Sequence, residues 1–389
     1  MSPSLTVFAN PGKKSAHQGP YRTALEFWPC NEYLFTKEIS DPGKQKKGKV
    51  MQFQPEPQGN KLQPKGTMKA IRMHVRGGPE NLVYEDVPKP VPSAGEALVR
   101  VYACGVTPTE LSWSSTEHLP VVLGHEISGV VEALAPDVTE VKIANPVYAL
   151  ADFRKDGGAA EYITVRGSDL APKPNSLDYV RAASVPLSAL TAWQALFDHG
   201  GLTKGQSVLI QGAAGGVGSF AVQLARWRGA RVIATASARN FDFLRRLGAE
   251  EVIDYGAERF ENKVRDADMV LDLVGGDTLE RSWDVLHRDA VLVTTVAPIS
   301  QKKATARGVK GIFFIVKPSR SELIEIARLI DGGHVRPSIE AVFPLERARE
   351  AFERGLSRHV RGKFVLQVFG SSVRMGPRAV SRDAFGANE

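Results

Sequence analysis

The sequence predicts an α/β protein that combines a small β-barrel with a doubly wound parallel sheet. Between residues 68 and 166, short stretches of alternating apolar and polar residues recur, separated by Gly, Pro and Asp. This spacing is typical of a barrel or sandwich of short strands. From about Pro186 the pattern changes to strands that alternate with amphipathic helices, which is the order that a parallel sheet with covering helices requires.

The first part begins at Met68. We expect strands in MKAIRMHVRG, NLVYEDVPKP and GEALVRVYACGV, and further strands in HEISGVVEALA, NPVYAL and AAEYITV. The last folded stretch, HVRPSIEAVFPLERAREAFERG…RGKFVLQVFG, has the pattern of strand, helix and strand, and we expect it to return to this first part. The predicted boundaries are 67–187 with 332–370 for the first domain and 188–331 for the second.

In the second part, SVLIQG, RVIATA and EVIDY are predicted strands, and the helices GVGSFAVQLARWRG and FDFLRRLG separate them. The alternation continues with the strand DMVLDLVG, the helix TLERSWDVLHR, the strands AVLVTTV and GIFFIV, and the helix SELIEIARLIDGG. Val217, Phe220 and Leu224 recur at helical spacing, which makes the first of these helices amphipathic.

Composition and charge exclude two classes of partner. No run of eighteen apolar residues occurs, so no membrane span is predicted. Of the net charge of +7, +5 lies in residues 1–67 and +1 in residues 371–389, so the region between them is nearly neutral. No nucleic-acid surface is therefore expected. The two cysteines, Cys30 and Cys104, provide no disulfide framework and suit a reducing compartment.

The two ends are predicted to lie outside the folded domains. Residues 1–66 contain eight prolines and the charge run DPGKQKKGKV, without sustained periodicity, and are predicted to be a poorly ordered extension. Residues 371–389 are predicted to be a tail. A mitochondrial transit peptide would be rich in Arg and Ser and poor in acids. Because Lys replaces Arg and acids such as Glu26 interrupt the extension, a cytoplasmic location is predicted, with the mitochondrion as the alternative.

A glycine-rich turn within SVLIQGAAGGVGSF carries the clearest chemical signal. It joins a predicted strand to a predicted helix, where glycines let the backbone turn tightly and approach a pyrophosphate. The N–H groups that begin the helix then point toward the phosphates. Taken alone, a glycine cluster is also compatible with an ordinary flexible turn. The predicted dinucleotide-binding residues are Gly212, Ala214, Gly215, Gly216, Val217 and Gly218.

The end of the next strand predicts that the dinucleotide is NADPH. NAD sites place an Asp or Glu about twenty residues after the glycines, on the ribose hydroxyls. Here the segment is ATASARN, so that Ser237 and Arg239 replace the acid, and these groups suit a 2′-phosphate. The alternative is that Arg239 faces solvent and Asn240 caps the next helix. Tyr255 is predicted to flank the same phosphate, with core packing as its alternative.

With these residues, the chain resembles the medium-chain dehydrogenase/reductase superfamily, and within it the zinc-independent quinone oxidoreductase branch. The resemblance extends from Met68 to about Gly370, in MKAIRMHVRGGPENLVYEDVP, CGVTPTEL, GHEISGVV, VPLSALTAWQAL, GAAGGVG and GKFVLQV. It implies a GroES-like β-barrel domain, a Rossmann nucleotide-binding domain and an active site in the cleft between them. It also implies a homodimer formed through the edge of the nucleotide-domain sheet, for which the strand GIFFIV is the candidate.

The resemblance also bears on zinc. Zinc-containing relatives carry a Cys in the loop that here is CGVTPTEL, a His in GHE, and a Cys or acid before the nucleotide domain. Here the first position falls at Thr107 and the third near 183–184, where no ligand residue occurs. A catalytic zinc needs three protein ligands, so no metal is expected and His125 is predicted to be a hydrogen-bonded interior residue. A metal held by His125, Glu126 and Glu110 is the alternative.

Without a Lewis acid, reduction of an electron-poor acceptor needs less assistance than oxidation of an alcohol. The expected reaction is hydride transfer from NADPH to a quinone or an α,β-unsaturated carbonyl compound. The hydroxyls of Thr107 and Thr109 are expected to face the nicotinamide and support the carbonyl oxygen, and Trp113 to form an apolar wall. The alternatives are loop-stabilising hydroxyls and core packing, respectively. Glu110 is expected to brace the loop.

Three further residues are assigned from the resemblance. Thr191 is expected near the nicotinamide ribose and diphosphate, and Val296 and its neighbours are expected to offer backbone groups to the carboxamide. Lys363 is expected to reach the cofactor, with a surface position as the alternative. Three other functions remain open: an enoyl reductase of a secondary-metabolite pathway, a zinc-type alcohol dehydrogenase, and an NADPH-binding protein without catalytic activity.

Overall fold

The computed structural model describes residues 66–112, 119–357 and 360–369. The predicted tail and Trp113 lie outside these residues, as does the predicted extension apart from Gly66.

Strands and short helices alternate along the described chain. The strands are β1 Thr67–Met73, β2 Leu82–Pro88, β3 Glu96–Val106, β4 Val121–Val122, β5 Glu126–Leu134, β6 Pro146–Leu150, β7 Tyr162–Arg166, β8 Ala171–Pro172, β9 Ser207–Ile210, β10 Arg231–Ala236, β11 Glu251–Asp254, β12 Ala267–Asp272, β13 Leu286–Thr294, β14 Lys310–Phe313, β15 Ile339–Pro344 and β16 Lys363–Gln367. The helices are α1 Tyr179–Ala183, α2 Pro186–Trp193, α3 Gly216–Arg228, α4 Phe241–Leu247, α5 Gly276–Ser282, α6 Gln301–Arg307, α7 Arg320–Asp331 and α8 Ala348–Leu356. Within the ranges that the structure covers, no helix is both long enough and apolar enough to span a bilayer.

The β-barrel part contains two sheets. The larger follows the order β15-β16-β3-β5-β6-β8, and β7 also pairs with β3. The smaller has the order β2-β1-β4, and a bridge between Ala70 and Ala160 links it to the chain before β7. β16 lies antiparallel to β3, with Phe364 opposite Val106. This pairing returns the last folded segment of the chain to the end of β3.

The second part is a six-stranded parallel sheet with the order β11-β10-β9-β12-β13-β14. The strand order reverses between β9 and β12, and in such sheets ligands bind beyond the carboxyl ends of the strands at the point of reversal. The glycine-rich turn follows β9 and therefore lies at this crevice. The predicted fold class, a GroES-like β domain with a Rossmann sheet, is confirmed.

Two local predictions differ from the structure. The helix predicted in TLERSWDVLHR ends at Ser282, a 3₁₀ turn follows, and Leu286 already belongs to β13. Leu286 pairs with Ala267 of β12, so a tertiary contact overrides the helical spacing. Helix α2 was not predicted, because its residues from Pro186 to Ala192 are all buried and therefore leave no polar face to reveal a helical period.

One hydrophobic cluster contains side chains from both the barrel and the parallel-sheet part. The cluster that contains most of the α2 and α3 side chains also contains Tyr148, Leu150 and Ala171 from the barrel. The Tyr148 hydroxyl, which is completely buried, donates a hydrogen bond of 2.5 Å to the carbonyl oxygen of Leu323 in α7. The crevice is therefore bounded by two parts that are packed together, not by domains joined through a linker alone.

We predict that Tyr148→Phe lowers the free energy of unfolding by about 0.5–1.5 kcal/mol, because it removes the buried hydrogen bond to the Leu323 carbonyl. Equilibrium urea denaturation measures the change. Tyr84→Phe is the matched control, since Tyr84 is 42% exposed on β2 and its substitution should have little effect. Equal stability of the two variants would contradict the importance of this contact.

Candidate active site

The glycine-rich turn after β9 has a backbone that two of its glycines make possible. Gly212 has a φ of +70°, in the left-handed region that favours glycine. A Cβ on Gly218 would lie 2.5 Å from the Gly212 oxygen and 2.6 Å from the Cα of Ala213, which is too close for any side chain. The first turn of α3 can therefore pack against the end of β9 only with glycine at this position.

Gly215 is different, because the fold itself leaves space beside it. Its backbone is extended, with φ −74° and ψ −178°, and a Cβ there would have as its nearest neighbour the Gly212 oxygen at 3.4 Å. Gly215 is the N-cap of α3, so the N–H groups of the following residues begin the helix. Helix N-termini of this kind bind phosphates. The open space beside Gly215 would let a phosphate come close to the backbone of the turn.

The return segment before β16 closes over this turn. The Gly362 N–H donates a 3.0 Å hydrogen bond to the Ala214 oxygen, and Gly362 forms a parallel bridge with Gly215. The side chain of the next residue, Lys363, lies against Gly216, since a Cβ there would be 2.8 Å from the lysine Cδ. The first residue of the barrel strand β16 therefore packs against the turn that is the candidate phosphate site.

A buried triad joins Lys363 to the end of β3. Lys363 Nζ donates to Thr107 Oγ1 at 3.0 Å, and Thr107 Oγ1 donates to Glu126 Oε1 at 3.2 Å. Lys363 also forms an ion pair with Glu126, and all three residues are at least nine-tenths buried. Burial raises the pKa of the Glu126 carboxyl, and the Lys363 ammonium works against that rise. Lys363 is thus not a surface residue, and Thr107 connects the barrel to the candidate phosphate site.

The predicted bracing role of Glu110 agrees with its contacts. Its carboxylate accepts from the backbone N–H of Gly124 at 2.6 Å and of His125 at 3.3 Å. His125 Nδ1 also lies 3.3 Å from Glu110 Oε2, although not in line for a hydrogen bond, and Nε2 is 3.1 Å from the Lys155 oxygen. Burial works to lower the pKa of His125, but Glu110, the Lys155 carbonyl and the charge of Asp152 together outweigh burial and raise it. The side chains of Glu110 and His125 therefore make their described contacts with the surrounding loops and stabilise them.

Glu126 and Cys104, two residues of metal-binding type near Thr107, have other partners. Glu126 faces Lys363, and Cys104 Sγ lies 3.5 Å from the oxygen of Gly105. Burial raises the pKa of the Cys104 thiol well above its usual value, which keeps it protonated. Among the residues that the structure describes, no three His, Cys, Asp or Glu side chains converge in a metal-binding group.

At the other end of the turn, the loop after β10 is held by an arginine that the sequence analysis did not identify. Arg361 Nε and Nη2 each donate to Asn240 Oδ1 at 3.1 Å, and Nη2 donates to the Arg239 oxygen at 3.1 Å. Asn240 Nδ2 in turn donates to Ser237 Oγ at 3.3 Å. Asn240 occupies the N-cap position of α4, as expected, but its side chain makes no capping hydrogen bond.

The remaining predicted cofactor residues lie around this crevice. Tyr255 follows β11 and is 55% exposed, which excludes the alternative of core packing. Thr191 is buried in α2 and its hydroxyl donates to the Leu187 oxygen at 2.6 Å. The Val296 N–H donates to Thr294 Oγ1 at 3.1 Å, which leaves the carbonyl as the candidate group for a carboxamide. Val217 is half-buried in the first turn of α3.

The predicted substrate-facing residues are only partly placed. Thr107 lies in the triad, whereas Thr109 is exposed on the following 3₁₀ turn, Pro108–Leu111. Trp113 lies outside the described residues. The structure thus brings Thr107 and Lys363 together, and it places Ser237 and Arg239 in a separate group at the far side of the glycine-rich turn.

Comparisons with known proteins identify the family. The Alcohol dehydrogenase GroES-like domain matches residues 93–175, and the Zinc-binding dehydrogenase family matches residues 247–366. A protein named probable zinc-binding oxidoreductase, mitochondrial, from Arthroderma benhamiae is 35% identical over 312 residues, which cover 74% of this chain and 93% of that protein. The chain belongs to the medium-chain dehydrogenase/reductase superfamily.

Other relatives place it in the zinc-independent quinone oxidoreductase branch of this superfamily. The mitochondrial NAD(P)H oxidoreductase RTN4IP1 of Danio rerio is 32% identical, over 70% of this chain and 84% of that protein. The quinone oxidoreductase of Sus scrofa is 29% identical, over 77% and 97%. The solved quinone oxidoreductase of Coxiella burnetii superposes with a TM-score of 0.74 at 33% identity, over 78% of this chain and all of that one. The protein is therefore an NAD(P)H-dependent oxidoreductase.

We predict that Gly215→Ala and Gly218→Ala separate cofactor binding from folding. Gly215→Ala should fold normally, because the backbone accepts a Cβ there, but should weaken NADPH binding at least tenfold by blocking the approach to the diphosphate. Gly218→Ala should instead lower the free energy of unfolding by about 1–3 kcal/mol through overpacking. Nucleotide fluorescence titration and urea denaturation measure the two effects. Wild-type affinity in Gly215→Ala would refute the phosphate assignment.

Proposed function

We propose that the protein is a zinc-independent reductase that transfers hydride from NADPH to a quinone or an α,β-unsaturated carbonyl compound. The observation that carries this proposal is the triad of Thr107, Glu126 and Lys363. At the position of the first zinc ligand of the relatives, Thr107 offers a neutral hydroxyl that already bonds to a carboxylate and an ammonium group. A thiolate is the ligand that zinc prefers there, and Thr107 does not supply one.

The same groups suit the charge that develops during reduction of an activated acceptor. Hydride addition to a quinone or to the β-carbon of an enone places negative charge on the carbonyl oxygen. Hydrogen-bond donors held rigidly in a dry site stabilise such an oxyanion without reorganisation. Thr107, which is 8% exposed, becomes such a donor when its single O–H turns from Glu126 Oε1 to the acceptor, while Lys363 Nζ holds the hydroxyl oxygen in place. NADPH, when bound, supplies the hydride, and the protein positions the acceptor and holds its oxygen.

The residues around the crevice fit NADPH along its length. We assign the diphosphate to the turn at Gly215 and Gly216, where α3 begins. The 2′-phosphate is assigned to the loop that contains Ser237 and Arg239. Arg361 supports this assignment, because its hydrogen bonds in that loop go to neutral oxygens, so its positive charge remains available to an anion.

We further propose a homodimer, a domain division at 67–187 with 332–370 and 188–331, and a cytoplasmic location. The dimer would form through β14, which is the edge strand of the parallel sheet. The alternative location is the mitochondrion, which appears in the names of five relatives. A fusion of residues 1–66 to a fluorescent protein distinguishes the compartments, since import of the fusion into mitochondria would reject the cytoplasmic assignment.

The function is tested by NADPH oxidation with a panel of quinones, enones, enals and enoyl thioesters, and by NADP⁺ reduction with primary alcohols. Each assay is run with and without EDTA. We expect turnover with quinones or enones and none with alcohols. Turnover with enoyl thioesters alone would favour the biosynthetic enoyl reductase. Turnover of alcohols that EDTA abolishes, with stoichiometric zinc in the purified protein, would favour the zinc-type enzyme. NADPH binding without turnover of any acceptor would reject catalysis.

We predict that Arg239→Ala weakens binding of 2′,5′-ADP about ten- to a hundredfold and leaves binding of 5′-ADP unchanged, since one charge-assisted hydrogen bond contributes about 1.5–3 kcal/mol. Arg361→Ala should have an effect of the same sign. Calorimetric titration measures both ligands. Arg231→Ala is the matched control. Arg231 is the first residue of β10, at the end of the strand away from the proposed 2′-phosphate site, and it pairs with Glu251. Equal losses for both nucleotides would reject the 2′-phosphate assignment.

A further inference from the structure

The triad of Lys363, Thr107 and Glu126 contains groups of three different kinds. The lysine ammonium donates hydrogen bonds and accepts none, and the glutamate carboxylate only accepts when ionised. The Thr107 hydroxyl does both, and it lies between the two, accepting from Lys363 Nζ at 3.0 Å and donating to Glu126 Oε1 at 3.2 Å. Thr107 is thus the member of the triad through which a proton can pass from one oxygen or nitrogen to the next.

The other titratable side chains on the neighbouring loops contact groups other than the Thr107 hydroxyl. Glu110 accepts from two backbone N–H groups, and His125 faces Glu110 and the Lys155 carbonyl. Cys104 is completely buried and its thiol lies against the Gly105 oxygen. None of these three side chains has a described hydrogen bond to the Thr107 hydroxyl, whereas Lys363 Nζ bonds to it directly.

We propose that Lys363 is the proton source for the reduced acceptor and that the Thr107 hydroxyl relays the proton, with Glu126 as a positioning residue. This proposal rests on the proposed function. It adds the proton-transfer step to the hydride step and assigns each to different groups of the site.

Bound NADPH would supply the hydride, so the acceptor gains two electrons and one negative charge remains on its oxygen. The Thr107 hydroxyl then turns its proton from Glu126 Oε1 to that oxygen, and Glu126 keeps Lys363 Nζ as its donor. A new O–H bond forms at the acceptor oxygen as the Thr107 O–H bond breaks. Thr107 Oγ1 takes a proton from Lys363 Nζ, where an N–H bond breaks and the electron pair stays on nitrogen. Water then returns a proton to the lysine amine.

The ion pair explains why the proton is held inside the protein. Lys363 and Glu126 are together neutral with one transferable proton, so their burial does not require that proton to leave. The Glu126 carboxylate also holds the lysine side chain beside the Thr107 hydroxyl. Glu126 also accepts from the Leu187 N–H at 3.3 Å, so its position is fixed by α2 as well as by the triad.

Three variants test the relay. Thr107→Val removes the hydroxyl at nearly constant volume, and Thr107→Ser keeps it. Lys363→Arg keeps the positive charge, but a guanidinium is not deprotonated in proteins and cannot give up the proton. Lys155→Arg is the matched control, because it makes the same substitution in another lysine–glutamate ion pair, with Glu96.

Two measurements are made with the acceptor that gives the highest turnover in the NADPH oxidation panel. The first is kcat in H₂O and D₂O. We expect Thr107→Val and Lys363→Arg to lower kcat about a hundredfold or more, as is usual for loss of a general acid. Thr107→Ser should restore most of the kcat that Thr107→Val loses, because it keeps the hydroxyl, and Lys155→Arg should not differ from wild type.

The second measurement does not depend on turnover. 4-Nitrophenol, whose absorption spectrum reports its ionisation state, is titrated into the complex of the enzyme with NADP⁺ as an analogue of the reduced acceptor. Wild type and Thr107→Ser should bind the phenolate form about tenfold more tightly than Thr107→Val, because they retain the hydroxyl donor.

The outcomes separate this proposal from the proposed function. If the wild-type enzyme reduces no quinone or enone, the proposed function fails. If the wild type is active and Thr107→Val or Lys363→Arg has the same kcat and solvent isotope effect, the relay is overturned while the function stands. A loss of kcat in Lys363→Arg that is accompanied by an equal loss of NADPH affinity would assign Lys363 to the diphosphate and overturn its role as proton source.

Discussion

The site depends on one backbone contact, the hydrogen bond from the Gly362 N–H to the Ala214 oxygen. It attaches the return strand of the barrel to the turn where the nucleotide-binding helix begins. Gly362 has a φ of +75°, and a Cβ there would lie 2.1 Å from the Ser338 oxygen. Only glycine therefore permits the approach, and the positions of the residues on either side follow from it.

Those two neighbours point to different ends of the crevice. Arg361 contacts the loop after β10, and Lys363 reaches Thr107 and Glu126 at the end of β3 and the start of β5. In a regular extended strand, residues two positions apart lie on the same face, but the positive φ of Gly362 interrupts that regularity. In our proposal, three consecutive residues therefore lie along the length of NADPH. Arg361 is at the adenosine end, Gly362 is at the turn that binds the diphosphate, and Lys363 is at the end where the acceptor is reduced.

The sequence predicted the fold, and the glycine-rich turn between β9 and α3, because these depend on local patterns. Alternation, helical spacing and a glycine cluster between a strand and a helix are all read within about twenty residues. The triad was only half predicted. Thr107 and Lys363 were named separately, but they are 256 residues apart, and no local pattern pairs them or adds Glu126. Arg361 was missed for the same reason, although its place beside Gly362 and Lys363 was a signal that could have been followed.

The hydrophobic core that crosses from the barrel to the helices of the parallel sheet limits how such a protein can be recombined. Tyr148, Leu150 and Ala171 pack in the same cluster as side chains of α2, α3 and α7. A chimera that took its nucleotide-binding half from another superfamily member would place foreign side chains against these three residues, and cavities or clashes would follow. Transplanting cofactor preference is therefore better attempted by exchanging single loops than whole halves.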